Sequence, residues 1–310
     1  MRFLVKRVLE ALTVGWAVAT IAFFALRLGR VDPLATLLSQ GLATQAQAAE
    51  TRASLGLNLP LEIQYADYLG GVVQGDFGRS IFSGQSVAAM TVDALAYTAP
   101  LALLAWLLSV LFGLGLGVLA SHRGERGWTG RAGGWMGALL AIGASTPVAW
   151  TGLILLWMSV PFAAAASEPL RDMLRLILPA LALAAAIGCS IGRAAETSIR
   201  QMRAELLHQA IRAHGFPRGW RADWRLLRAA IAPLLALSAL EAAFLLGGTM
   251  VTEIVFARPG MGRLLVDAIL NGDYPVVQLA LPLVALGYTL FGLIADVASA
   301  VFDPRMREAG

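Results

Sequence analysis

Six stretches of this chain are apolar enough, over enough residues, to cross a bilayer. They fall at about 8–26, 99–120, 135–160, 176–191, 231–256 and 276–301. A hydrocarbon core of about 30 Å asks for about 20 such residues per helix. Inside lipid every backbone polar group must be satisfied within the segment, so these stretches predict helices. Composition agrees: 58% of the 310 residues are hydrophobic and only 14% are charged. That balance argues against a soluble enzyme, a disordered chain or a nucleic-acid binder. Arg2, Lys6 and Arg7 precede the first stretch as they would in a signal peptide. Its apolar run is longer than a usual signal core, and five more spans follow, so it reads as a retained first helix.

Arginine placement orients the chain. With the N-terminus inside, the inner segments hold 16 of the 24 basic residues and the outer segments 8. The excess lies in short loops beside span ends, as the positive-inside rule requires. A basic chain is thereby explained without nucleic acid. The expectation is an all-α membrane protein of six transmembrane helices in the inner (plasma) membrane, with both termini cytoplasmic. It divides into 1–26 (first helix), 27–97 (an extracytoplasmic loop element) and 98–310 (a five-helix core). The core carries a cytoplasmic loop at 193–230 between its fourth and fifth spans.

The outer element is too long for a turn. Residues 44–55 are rich in helix formers and stop at Gly56, a natural terminator. Asn58 and Pro60 suggest the cap and first turn of a second helix. In that helix Leu61, Tyr65, Tyr68, Leu69 and Val72 share a face. The Gly113-x-Gly-x-Gly117 run in the second span permits close helix approach and reads as packing.

Several chemistries lack their residues. A Walker A loop needs a lysine after its glycines, and the only lysine is Lys6. His122, His208 and His214 form no recognised metal spacing, and Cys189 has no partner cysteine. The expectation is a transport subunit that is no enzyme, with no metal and no cofactor of its own.

Separate segments, met in order along the chain, resemble one family. At the front stand Arg27-Leu-Gly-Arg-Val-Asp32-Pro33, Leu55-Gly-Leu-Asn-Leu-Pro60 and Gly75-Asp-Phe-Gly-Arg-Ser80. Further on come Gln209-Ala-Ile-Arg-Ala-His-Gly215, Gly247-Gly-Thr-Met with Glu253-Ile-Val-Phe-Ala-Arg-Pro259-Gly-Met-Gly-Arg263, Asp273-Tyr-Pro-Val-Val-Gln278, and Asp303-Pro-Arg305. Together they look like the first permease of the dipeptide/oligopeptide/nickel branch of ABC importers. The resemblance implies a heterodimer with a second, related permease. Two ABC ATPases that use ATP and Mg would bind inside, and an extracytoplasmic solute-binding protein would deliver cargo. Gln209 and Ile211 stand where the general EAA pattern has Glu and Ala, His214 stands where the branch often has Lys, and Arg225 stands where it often has His.

Coupling to a separate ATPase needs a short, rigid inner helix with small residues for close approach and a sharp stop. Gln209, Ala210, Arg212, Ala213, Gly215 and Pro217, within 207–218, supply that pattern. The competing reading is a basic loop at lipid headgroups. A charge at mid-membrane costs about 2.5–3.5 kcal/mol, so Glu241 and Asp296 are expected to face a neighbouring helix or a wet path. Glu241 would meet cargo or pair with an arginine such as Arg193. Ser145 and Thr146, before Pro147, interrupt the third span and would line a path or kink the helix. Arg79, Glu253, Pro259, Gly260 and Arg263 are expected at the outer gate or at the docking surface for the binding protein. The cargo expected is a dipeptide or oligopeptide, with nickel or a metal chelate as the alternative. A non-pumping channel or assembly subunit is the reading from another class.

Overall fold

The computed structural model describes residues 2–29, 33–39, 41, 44–125, 127–165, 167–204 and 220–302. Among these the chain is all helical, with no strand beyond one isolated bridge between Arg79 and Ser86. The helices are α1 (Arg2–Leu28), α2 (Pro33–Ser39), α3 (Gln45–Ser54), α4 (Leu61–Gln74), α5 (Val87–Ala120) and α6 (Trp128–Ser145). They continue as α7 (Val148–Ala165), α8 (Glu168–Ala204), α9 (Trp220–Val255), α10 (Met261–Asn271) and α11 (Tyr274–Phe302). Four described segments are long and apolar enough to span a membrane: Lys6–Leu28, Val87–Ala120, Glu168–Gln201 and Tyr274–Ile294. The pair Trp128–Ser145 and Val148–Pro161 makes a fifth if its 103° bend is counted as one broken span.

Two compact units emerge. The first joins Met1–Thr98 with Pro259–Gly287, and the second joins Ala99–Arg258 with Tyr288–Gly310.

In the first unit the outer element folds on local signals. Thr44 caps α3 through a capping box with Gln47, satisfying two end donors at once. Gly56 (φ 63°) takes the left-handed position after α3, as its place in the sequence suggested. Asn58 is not the cap of α4: Pro60 occupies that position without a side-chain bond. The middle of the expected α4 face, Tyr65, Tyr68 and Leu69, is partly buried, but its ends are not. Leu61 and Val72 are each 39% exposed, whereas the polar Gln64 is buried. The reason is an aromatic and polar cluster. Phe23 is fully buried. It lies 5.1 Å from Tyr65 and 5.6 Å from Tyr68, measured between ring centroids. Gln64 earns its burial through hydrogen bonds: its Oε1 accepts from Arg27 Nε at 2.7 Å, and its Nε2 donates to the Leu59 carbonyl at 2.8 Å.

In the second unit α8 packs against α6, α7 and α9. Leu101, Ala105, Ala180, Leu183 and Leu245 form a buried core. The α5 glycines meet α8 glycines: a Cβ added at Gly113 would stand 2.5 Å from the Gly188 carbonyl oxygen, and one at Gly117 2.5 Å from that of Gly192. Backbones this close exclude any side chain, so the glycine run packs helices, as the small-residue rule for lipid predicts.

Candidate translocation and docking sites

Glu241 sits half-buried on α9. The Ser190 hydroxyl of α8 donates to its Oε1 at 2.6 Å. Of the two partners weighed for this carboxylate, Arg193 is not the one the structure supplies: a neutral hydroxyl holds it. One oxygen is thus oriented, and among the described residues no arginine pairs with the carboxylate. Asp296 lies on α11, with its side chain outside the described residues.

The Ser145-Thr146-Pro147 break is real. α6 ends at Ser145, Thr146 is extended (φ −87°, ψ 124°), and α7 leaves at 103°. Proline lacks the amide that would continue the ladder, and it pushes the residue before it out of the helical region. Both hydroxyls turn back on their own helix. Ser145 Oγ donates to the Ala141 carbonyl at 2.9 Å and Thr146 Oγ1 to that of Ile142 at 2.8 Å. Their donors are spent locally, while their oxygens can still accept.

Gln209, Ala210, Arg212, Ala213, Gly215 and Pro217 lie outside the described residues, as do Asp32 and the 303–305 segment.

The residues expected at the outer mouth separate by burial. Arg79 is exposed, with Nη1 donating to the Gly84 carbonyl at 3.1 Å. Arg263 is partly exposed and pairs with Asp267 at 3.6 Å. Pro259 is exposed and Gly260 buried. Glu253 is 0% exposed, so its side chain offers nothing to a docking partner. Its carbonyl instead accepts from Arg258 N at 2.8 Å while Ile254 O accepts from Ala257 N at 3.2 Å. This double closure ends α9 and puts its left-handed residue at Ala257 (φ 51°), where glycine is usual. An alanine gives no turn signal in the sequence, so this position is not read from it.

A latch also escaped the sequence. Gly272 (φ 75°) ends α10, and the next residue, Asp273, is buried. Ser80 Oγ donates to Asp273 Oδ2 at 2.5 Å and Ile81 N to Oδ1 at 3.1 Å. Two of the resemblance-bearing segments are thus tied together from 193 residues apart. Burial pushes the Asp273 carboxyl above its ordinary value, against the pull of hydrogen bonds from Ser80 and neighbouring amides. Nearby, the Tyr68 hydroxyl donates to the Gln278 carbonyl at 3.1 Å. Its pKa is pushed up to about 12, by burial first and by Tyr65 next, with Arg27 opposing. Only the length of the sequence gap hid these pairs; each residue alone looks like ordinary turn chemistry.

Comparison with known proteins gives these helices a setting. Residues 113–308 match a family described as binding-protein-dependent transport system inner membrane component. Residues 1–102 match the N-terminal component family of the same systems. The chain belongs to this family of permeases. A probable peptide ABC transporter permease of Sinorhizobium fredii is 33% identical over 98% of this chain and 99% of its own. Glutathione transport system permeases of Salmonella typhimurium (33%) and Escherichia coli strain K12 (32%) are similar over 99% of both chains. The permease is therefore an inner membrane component of a binding-protein-dependent transport system. The boundary between the two family matches, 102 to 113, falls within α5.

Proposed function

We propose that this permease is one half of a heterodimeric pore for ATP-driven import of peptides. It crosses the membrane six times with both termini inside, α9 supplying a span beside those already described. What carries this reading is end-to-end correspondence with permeases named for peptide and glutathione transport. A glutathione-sized peptide falls within the same class. These relatives favour peptide over nickel as cargo.

In this reading the solute-binding protein docks on the outer surface that includes Arg79 and Arg263. Two ABC ATPases, which bind and hydrolyse the ATP, seat the 207–218 segment from inside. Movement of that segment is passed to α8 and α9, the helices that flank it in sequence. Glu241, fixed by Ser190, lies on the path and meets the amino end of the peptide. The break at Ser145-Thr146 lines the same path with acceptor oxygens. Affinity purification of the tagged permease from its native membrane tests the assembly. A second six-span permease and two ATPases should come down with it. A permease that purifies alone under conditions where sister complexes stay intact contradicts the reading.

A further inference from the structure

A second polar cluster begins one turn along α8 from Ser190. In the second unit a cavity of about 480 Å³ opens between the loop after α5, the face of α6 and the last turns of α8. Its volume is within the range of small-molecule pockets. Arg123, Arg193 and Arg200 line it, with Gly137 from α6 and the single carboxylate Glu196.

Glu196 is 7% exposed. Its Oε1 takes both Arg123 Nη2 at 3.2 Å and Arg200 Nη1 at 3.4 Å. A buried carboxylate is costly unless paired, and here it also fixes two guanidinium groups at the rim. Arg193 and Arg200 are seven residues apart, two turns along one face of α8. Among the described residues no acceptor pairs with the Arg193 guanidinium. Among the described lining residues three cations face one anion, leaving two positive charges around an open space. Gly137 forms the floor: a Cβ there would stand 3.4 Å from Arg123 Nη1 and 3.6 Å from Glu196 Oε2. A larger side chain there would press on the Arg123–Glu196 pair that frames the cavity.

Position favours one kind of ligand. Arg123 lies in the loop just before α6, whose first turns carry Trp128 and Trp135, 81% and 76% exposed, while the α6 lining, Gly137 and Ala141, lies further along that helix. Exposed tryptophans mark the level where headgroups meet the apolar core. The arginine count places this end on the inner leaflet, whose lipids carry negative charge. Basic pockets between membrane helices on that side suit phosphate-bearing headgroups. Arginine forks match phosphate oxygens two at a time.

We infer that this cavity binds a phosphate-type anion, supplied by the headgroup of an anionic phospholipid of the inner leaflet. The site holds α8 against Arg123 of the loop after α5, just before the chain enters the inner segment that the proposed function assigns to ATPase contact. It rests on that function only for the inward orientation.

Native mass spectrometry of the purified complex tests this. The complex is exposed to vesicles of phosphatidylcholine, or of phosphatidylcholine with phosphatidylglycerol, and separately to inorganic phosphate. The wild type should retain phosphatidylglycerol and not phosphatidylcholine. Arg193→Gln should weaken retention about fivefold, the share of one surface arginine. Gly137→Leu, with every charge intact, should abolish it. Arg171→Gln, on an exposed arginine paired with Glu168, should leave it unchanged. Equal retention of both lipids, or an Arg193→Gln complex that retains lipid as the wild type does, overturns the inference. So does a phosphate ion that binds with the same Arg193 dependence while the lipid does not. Arg193→Gln that sheds the ATPases with lipid retention unchanged also overturns it. Orientation is read independently, from labelling of Arg123→Cys by a membrane-impermeant thiol reagent. Labelling from outside would fault the proposed topology, whatever the lipid result.

Discussion

The seam between α5 and α8 can be broken by one methyl group. At Gly117 a Cβ would stand 2.5 Å from the Gly192 carbonyl oxygen and 2.7 Å from Ala195 Cβ. Carbon-to-oxygen contacts between helices settle at about 3.3–3.6 Å, so Gly117→Ala forces the helices roughly 1 Å apart. A gap of that size forfeits about a quarter to a half of the dispersion well for each facing atom pair. Overpacking of a tight interface costs about 1–3 kcal/mol. The better helix propensity of alanine returns up to about 1 kcal/mol. With that return taken in full, the net loss is about 0–2 kcal/mol. For a body of this size that lowers the unfolding midpoint by about 2–4 °C per kcal/mol. Gly113→Ala demands the same separation, because its Cβ would meet Gly188 O at 2.5 Å. One withdrawal relieves both clashes, so the double variant should lose little more than the worse single. Gly115 lies between them with nothing within 4 Å of its Cβ position. Gly115→Ala should be neutral or slightly stabilising. Thermal unfolding of the detergent-solubilised protein, followed by tryptophan fluorescence, reads all four variants. Strictly additive losses at 113 and 117, or a loss at 115 as large as at 117, would refute the close-backbone seam.

Other outcomes follow from the front unit and the α8–α9 contact. Asp273→Asn cannot accept from both Ser80 and Ile81, and a lost bond to a charged acceptor costs about 1.5–3 kcal/mol. Hydrogen exchange across 78–83 should therefore speed up about 10- to 100-fold, and unchanged exchange contradicts the latch. Because burial raises the Asp273 carboxyl above 3.8, the fold holds this proton more tightly than the unfolded chain does. Its stabilising contribution is full below that ordinary value and is lost as pH rises through the raised one. The stability difference between wild type and Asp273→Asn should thus change across that window and be flat above it. Ser190→Ala removes the donor to Glu241 and should change the KM for peptide more than the assembly of the complex; transport kinetics check this.

The membrane-spanning character was legible because apolar runs and arginine asymmetry are local, additive signals. Gly56 and the Ser145-Thr146-Pro147 break were legible for the same reason: each is a short-range backbone constraint. The α4 face was legible at Tyr65, Tyr68 and Leu69 and misjudged at its ends, because hydrophobicity alone ranks Leu61 above Gln64. The structure reverses that order, since Gln64 finds partners on Arg27 and Leu59. The Asp273 latch was illegible because its partners are distant in sequence. Ala257 was illegible because a left-handed alanine violates the local preference that turn reading relies on. Glu196 gave no signal in the sequence because one of its partners, Arg123, comes from another segment.

Uptake of a labelled dipeptide tests peptide import most directly. Proteoliposomes would hold the permease with its sister permease and ATPases, with ATP on the ATPase side and the binding protein on the other. Uptake should require both ATP and the binding protein, and Gly215→Trp should leave ATP hydrolysis running while uptake stops. Dipeptide that equilibrates without ATP, or full uptake by Gly215→Trp, would contradict a pump driven through this segment.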